Sequence, residues 1–331
     1  MPAPLDFLPM SFMQLLTGYL SPGGGRGKLS TLIYHRVLKQ PDALLPGEVD
    51  AVSFEWQMNV LAQHFNVLPL SEAVERLKKK SLPKRAVCVT FDDGYADNAE
   101  VALPILKKHG VPATFFVATG FLNGGMMWND RVTEAVRHAQ GNIMDLSSLG
   151  LGKHAISDKQ SRFFSIKKLL GELKYFAPDE RLEKVGEIIK SLGTPLSQDF
   201  MMSHAQVKTL SQQGMSIGAH TVNHPILQKI NSDKAYQEIA DCRDLLKDLV
   251  GHPIDLFAYP NGKPNQDYGE IHIQHLKDLG FTSAVTTAWG VSTALTDVYQ
   301  LPRFTPWDKS PKRFMARLLQ NCMRTKVETV S

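Results

Sequence analysis

The stretch VTFDDGYADN, residues 89 to 98, sets two carboxylates side by side, Asp92 and Asp93, where an apolar strand-forming run ends. Like charges repel, and a strand end close to a core solvates them poorly. Two arrangements relieve that cost. One is a turn that needs Asp and Gly and leaves both acids in water. The other puts a metal ion on one carboxylate and lets a reaction use its neighbour. A second stretch, HTVNHP at 220 to 225, holds His220 and His224 four residues apart. On a helix that spacing puts both imidazoles on one face, but the glutamate base of the HExxH zinc proteases is missing, because Thr221 follows His220. Pro225 also biases His224 away from helical dihedrals, so a strand end and a tight turn fit better. Two histidines plus one carboxylate form a common open site for catalytic zinc. The histidine pair alone reads as two unrelated surface residues; the aspartate pair at another strand end reverses that weighing.

The elements that must position these groups are legible as alternating runs. KLSTLIYHRV is a strand, SFEWQMNVLAQHF a helix with Ser53 as its expected N-cap, NVLPL a short strand, and EAVERLKKK a helix capped by Ser71. RAVCVTF lacks polar alternation, as a parallel strand covered on both faces does. DNAEVALPILKKHG is a helix stopped by Gly110, and PATFFVAT is a strand. Further on come MSHAQVKTLSQQG (a helix capped by Ser203), MSIGAH, SDKAYQEIADCRDLLKDLVG, IDLFAYP, YGEIHIQHLKDLG and FTSAVTT, again helix and strand in turn. The pattern predicts an α/β fold, a parallel sheet with helices outside and enough units for a barrel. Four polar stretches then fall where strands end, the usual place for reactive groups: His35 after LIY, Asp92 and Asp93 after VTF, His220 after SIGA, and YPNG (259 to 262) after DLFA. By itself YPNG is an ordinary turn.

One region breaks the rhythm. From about 121 to 200 the chain reads as three helices with no convincing strand between them, a helical insertion on one βα loop. Around it, residues 1–29 form an N-terminal extension, 30–310 the barrel, and 311–331 a closing helix and tail. The extension has no basic start, and Asp6, Pro9 and Gln14 interrupt its apolar stretches, which fits neither a signal peptide nor a spanning helix. A surface helix packed on its own domain is preferred there over a segment resting on a membrane. Net charge is +4, and the basic run RLKKKSLPKR (76 to 85) has no aromatic interleaving, so it reads as a solvated helix end and no nucleic-acid partner is expected. Cys88, Cys242 and Cys322 are far apart, without a CxxC pair, which suits a reducing compartment.

Taken in order, TFDDGYADN, HTVNHP and FAYPNG resemble the motifs of the polysaccharide deacetylase family, the NodB-homology or carbohydrate esterase family four group, over roughly residues 30 to 305. The resemblance implies a distorted (β/α) barrel, a carbohydrate substrate and a divalent metal, most often zinc, with cobalt, nickel and manganese as alternatives. It implies hydrolysis of an acetyl group, usually from N-acetylglucosamine units. Asp93, His220 and His224 would hold the metal, Asp92 would be the general base, and the Asn261 N–H would serve the oxyanion, with Tyr259 and Gly262 shaping that loop and Tyr259 counted among the substrate-binding residues. Two departures matter. The family's arginine upstream of the Pro is missing from PIDLFAYP, and Arg303 in LPRF is the candidate to balance Asp92, weighed evenly against a surface salt bridge. The family's C-terminal histidine is missing too, since none follows His275. A barrel brings its first and last strands together, so His35 is the candidate acid, as in exopolysaccharide deacetylases with a permuted motif order. Trp128 is expected either to line the sugar groove or to pack between helices.

The alternatives are an O-acetyl esterase on the same site, an aspartate phosphotransferase and a non-catalytic sugar-binding barrel. Phosphotransferases need D-x-D spacing, and the intact Asp92, Asp93, His220 and His224 speak against a decayed site. By analogy the chain is expected in the cytoplasm, with peripheral association at the inner membrane face or with a polysaccharide synthesis complex.

Overall fold

A computed structural model describes residues 9–193 and 200–330. Residues 1–8 of the expected extension, 194–199 of the expected insertion and the last residue lie outside them. The chain begins with α1 (Met10–Leu20), β1 (Leu29–Tyr34), the two-residue strands β2 (Val37–Leu38) and β3 (Val49–Asp50), α2 (Ala51–His64), β4 (Asn66–Val67), α3 (Leu70–Lys78) and β5 (Ala86–Phe91). A π-helical stretch, Asn98–Ala102, runs into α4 (Leu103–His109), which Gly110 ends at φ 63°, and β6 (Thr114–Val117) follows. Next come α5 (Trp128–His138), β7 (Ile143–Leu146), β8 (Gly152–Ala155), α6 (Lys159–Leu173) and α7 (Pro178–Leu192). The last third is α8 (His204–Gln212), β9 (Ser216–Ala219), α9 (Ser232–Val250), β10 (Leu256–Ala258), α10 (Glu270–Asp278), β11 (Ser283–Val285) and α11 (Pro311–Asn321).

Seven of the strands form one curled parallel sheet in the order β1-β5-β6-β9-β10-β11, with β4 beside the start of β5, while β2 pairs separately with β3. Every residue of β1, β5 and β6 is buried, as their mostly apolar and β-branched sequences suit strands covered on both faces. The sheet's two edges meet through the segment 301–304. Leu301 pairs with Val285 of β11, and Phe304 pairs with Leu32 of β1, both in parallel. Phe304 donates its N–H to Thr31 and accepts from Ile33, so a four-residue stretch joins the last strand to the first. Inside the ring the backbone comes close to a side chain at Gly218, where a Cβ would lie 2.4 Å from the Phe116 ring.

Helices pack on the sheet with the expected periodicity. In α3 the buried residues are Leu70, Ala73, Val74 and Leu77, one stripe of a 3.6-residue repeat. Helix α1 rests on α11, burying Met13 and Thr17 and leaving Phe12, Leu15 and Tyr19 exposed. Among the described residues no helix is long and apolar enough to cross a membrane.

Three local expectations need correction. The N-cap of α2 is Asp50, whose side chain accepts the Ser53 N–H; Ser53 is already inside the helix. Helix α3 starts after Pro69 without a side-chain cap, and Ser71 lies within it. Ser203 does cap α8, in a box with Gln206. The insertion is not all helical: β7 and β8 form an antiparallel hairpin between α5 and α6. It also has a core of its own, in which Val132, Val136, Leu146, Leu169, Leu173, Val185 and Ile188 pack with Leu44. Leu169 is fully buried there, so Leu169→Ala is expected to cost about 2–5 kcal/mol of local stability. Hydrogen exchange should speed up across α5, α6 and α7 while β5, β6 and β9 keep their protection. Uniform loss across both regions would show that the insertion has no separate core.

Candidate active site

At the end of β5 the ladder continues one residue further, because Asp92 donates its N–H to the Tyr34 carbonyl. The chain then turns through Asp93 at φ 74° and Gly94 at φ 92°. Positive φ is tolerated by Asp and natural for Gly, which is why DDG serves at this corner. Both side chains are buried, Asp92 at 3% and Asp93 at 6% exposure.

Asp92 has a fixed counter-charge. Arg303, fully buried on the segment that joins β11 to β1, donates Nη1 and Nη2 to the two carboxylate oxygens at 2.7 Å each. Its remaining bonds go to Thr90 Oγ1 at 3.1 Å and to the Thr286 carbonyl at 2.9 Å. Burial alone would raise the Asp92 pKa, but Arg303 and then His220 outweigh it and hold the carboxyl below its ordinary range. The surface salt bridge considered for Arg303 is ruled out by its burial.

Asp93 has no such partner. Among the described residues its Oδ1 is buried and accepts no hydrogen bond, yet it lies 3.4 Å from Nε2 of His220 and 3.4 Å from Nε2 of His224. His220 follows β9, and its Nδ1 sits 2.7 Å from the Ala258 carbonyl. A carbonyl can only accept, so Nδ1 carries the hydrogen and Nε2 presents its lone pair to the site. Burial would lower the His220 pKa, but Asp92 and Asp93 raise it overall, so the site favours positive charge at that nitrogen. Burial pushes His224 down to about 4 despite Asp93, which leaves its imidazole neutral near pH 7. Asp93, His220 and His224 bring one ligand atom each to within 4.8 Å of one another. Three electron-pair donors facing one point, with a buried carboxylate oxygen left unsatisfied, fit a cation.

The turn carrying His224 is held from α9. The Glu238 carboxylate accepts from the Val222 N–H at 3.0 Å, the Asn223 N–H at 2.7 Å and the Asn223 side-chain amide at 2.8 Å. Sequence reading missed Glu238, although the signal was present: it lies on the buried face of α9 with Ala235, Ile239 and Cys242. Tyr95 and Asp130 were missed as well. Tyr95 lines the cavity and donates to Asp130 at 3.0 Å, and burial pushes Asp130 up to about 7.

These groups open into a cavity of about 490 Å³, in the usual range for a ligand site. His35, Asp92, Asp93, His220, His224, Asn261 and Trp128 all line it, so sequence-distant candidates meet in one place. Asn261 stands at φ 59°, and among the described residues its N–H has no acceptor. Tyr259 is the exception. It is fully buried and stacks on Tyr268 with ring centres 3.8 Å apart, so it supports the loop from below and does not line the cavity. The expectation of a substrate-binding Tyr259 is corrected accordingly.

Comparison with known proteins places the chain. The sequence profile of the family described as polysaccharide deacetylase matches residues 79–148 and 175–284. The chain belongs to that family. The Bacillus subtilis protein YxkH, named for the same family, is 23% identical over 278 residues, covering 83% of this chain and 70% of that protein. A poly-β-1,6-N-acetyl-D-glucosamine N-deacetylase of Staphylococcus aureus is 42% identical over 73 residues, which span 22% of this chain and 25% of that enzyme. The Streptococcus pyogenes deacetylase PplD, solved with acetate, superposes with a TM-score of 0.59 at 23% identity over 89% of this chain and 98% of its own. That likeness establishes a deacetylase-type (β/α) fold.

Removing Arg303 tests the electrostatics of the candidate site. Arg303→Met leaves Asp92 buried without its cation, with an expected loss of about 3–5 kcal/mol at neutral pH. In the native chain the Asp92 pKa is depressed, so its contribution is complete above the ordinary value of 3.8 and is lost as pH falls through the folded pKa. In the variant, burial without Arg303 favours the protonated acid, so the stability gap should narrow as pH falls from 7 to 4. Urea midpoints of both proteins at pH 7, 5 and 4 check this; a gap of constant size would contradict the pairing.

Proposed function

We propose that this polysaccharide deacetylase removes acetyl groups from N-acetylglucosamine units of a polysaccharide or its precursor, using a divalent cation, zinc in the first instance. The observation that carries the reading is the buried, unsatisfied Asp93 Oδ1 facing two imidazole nitrogens. The substrate for which the Staphylococcus aureus relative is named supports the choice of sugar.

Asp93, His220 and His224 would hold the cation. When bound, such a cation lowers the pKa of water and polarises a carbonyl oxygen. Asp92 takes the proton from the attacking water at a carboxylate oxygen. Arg303 makes it a weaker base but keeps it ionised and fixed in orientation, and the second effect is the one a buried acid lacks on its own. The Asn261 N–H donates to the oxygen that becomes negative in the tetrahedral intermediate. His35, on the chain just beyond β1 and across the cavity wall, gives a proton to the departing amine nitrogen, so that an amine leaves and not an amide anion. Trp128 offers an aromatic face to the sugar.

Acetate release from N-acetylglucosamine oligomers tests the assignment. Chelation should abolish turnover and zinc should restore it. Asp92→Asn should lower kcat by at least about a hundredfold with metal content unchanged, whereas His220→Ala should lose the metal. His35→Ala should lower kcat while sparing metal binding, most severely on the N-acetyl substrate, whose leaving group needs the proton more than an O-acetyl control does. Full turnover in metal-free protein, or in Asp92→Asn, would refute the reading.

A further inference from the structure

We propose that the cavity takes an N-acetylated saccharide that also bears an oxyanion, a phosphate or a carboxylate, and that Arg181 and Lys174 of the insertion bind that anion. The inference rests on the deacetylase reading and adds a substrate class to it.

Arg181 is on α7, only 7% exposed, and lines the same cavity as Asp92 and Asp93. Its guanidinium lies over the Trp128 ring, 4.8 Å from the ring centre, which fixes its position. Nη1 donates to the Lys174 carbonyl at 3.1 Å, and Nε is buried with no acceptor among the described residues. Among the described residues no carboxylate pairs with it, and burial lowers its pKa with nothing set against that effect.

Arg303, the other arginine buried to this degree, differs in that it pairs with Asp92, and the less buried Arg36 and Arg317 pair with Asp97 and Asp308. A guanidinium buried without a counter-charge destabilises a fold, and a leucine or methionine would fill the same space without that cost. Retaining it has a purpose when the counter-charge arrives with the ligand. Lys174 lines the cavity beside it and likewise forms no ion pair among the described residues.

The remaining charge in the cavity points the same way. Asp92 is satisfied by Arg303, and Asp93 faces the cation site. Glu48 is pushed up by burial, towards its neutral form, with His35 partly opposing. The insertion wall is therefore left with an excess of positive charge. A planar fork of N–H donors suits a phosphate or carboxylate far better than a sugar hydroxyl. A neutral N-acetylglucosamine chain offers nothing that needs it.

Three substrates built on one N-acetylglucosamine oligosaccharide test the proposal: the neutral parent, its phosphate monoester and a version ending in a uronate. The kcat/KM for acetate release should be at least about tenfold higher for one of the charged forms, through KM, and the advantage should shrink as salt is raised. Preference for the phosphate identifies a phosphorylated precursor as the source, and preference for the uronate an acidic polysaccharide. Arg181→Gln should bring the charged-to-neutral ratio close to one, and Arg181→Lys should retain part of it. Equal kcat/KM on all three substrates, or a ratio unchanged in Arg181→Gln, would overturn the anion site and leave the deacetylase reading standing. Absence of acetate from all three would instead overturn the deacetylase reading. A separate measurement then decides the anion site: calorimetric titration of inorganic phosphate into chelator-treated protein should show binding that weakens at least about tenfold in Arg181→Gln. Equal binding by both proteins, or none by either, would overturn it.

Discussion

The pairing of Asp92 with Arg303 is the interaction on which the rest of the site depends. Two adjacent buried carboxylates cannot both stay ionised without nearby positive charge. The chain gives the two acids different partners. Arg303 is permanent, bidentate and fully enclosed, so Asp92 is ionised and immobile. Asp93 has no protein cation of comparable permanence and faces two imidazoles, a donor set that would suit an exchangeable ion. Neighbours in sequence thus acquire different chemistry from what faces them. The arrangement also gives barrel closure a chemical role, because the segment that joins β11 to β1 is the one that delivers Arg303.

Much of this was legible in the sequence, for reasons that can be traced to particular residues. AVCVTF could only be a strand buried on both faces, and the alternation of such runs with amphipathic helices implied the parallel sheet. Asp93, His220 and His224 could be grouped because strand ends of a parallel sheet converge. The hairpin of β7 and β8 was not legible: IMDL exposes Ile143 and Asp145 while burying Met144 and Leu146, too short an alternation to stand out among helices. The cap of α2 was misplaced because Asp50 and Ser53 are both good capping residues, and only the backbone decides which one turns. Tyr259 looked like a loop aromatic, but its partner Tyr268 is nine residues away across a turn, and no local pattern announces a stack of that kind.

Arg181 shows what sequence reading conceals most readily. PDERLEKVGEIIK has the composition of a solvated helix, and an arginine in it passes as surface charge. Its register says otherwise, since Arg181, Val185 and Ile188 are the buried residues of α7 and occupy one face. A cation on the apolar stripe of a helix is therefore the feature to look for, as is the carboxylate of Glu238 on the apolar stripe of α9. Arg181 points into the cavity, and Glu238 braces the cavity from behind.

That bracing explains how the site tolerates its backbone. Asp93, Thr221, His224 and Asn261 all have positive φ, and all belong to the loops around the cavity. For Asp and Asn the conformation is mildly unfavourable; for the β-branched Thr221 it is a genuine strain, of order 1–3 kcal/mol. Such strain persists only where neighbours over-determine the geometry. Around Thr221 they do: Glu238 takes three hydrogen bonds from the two following residues, and Thr221 Oγ1 accepts the His224 N–H at 3.1 Å. At Asp93 the restraint comes from the sheet itself, through the Ala118 N–H bonded to its carbonyl. The three donor atoms are thus held together by the fold before any cation arrives. The folding free energy of the barrel bears the repulsion among them, and a cation that binds there relieves it.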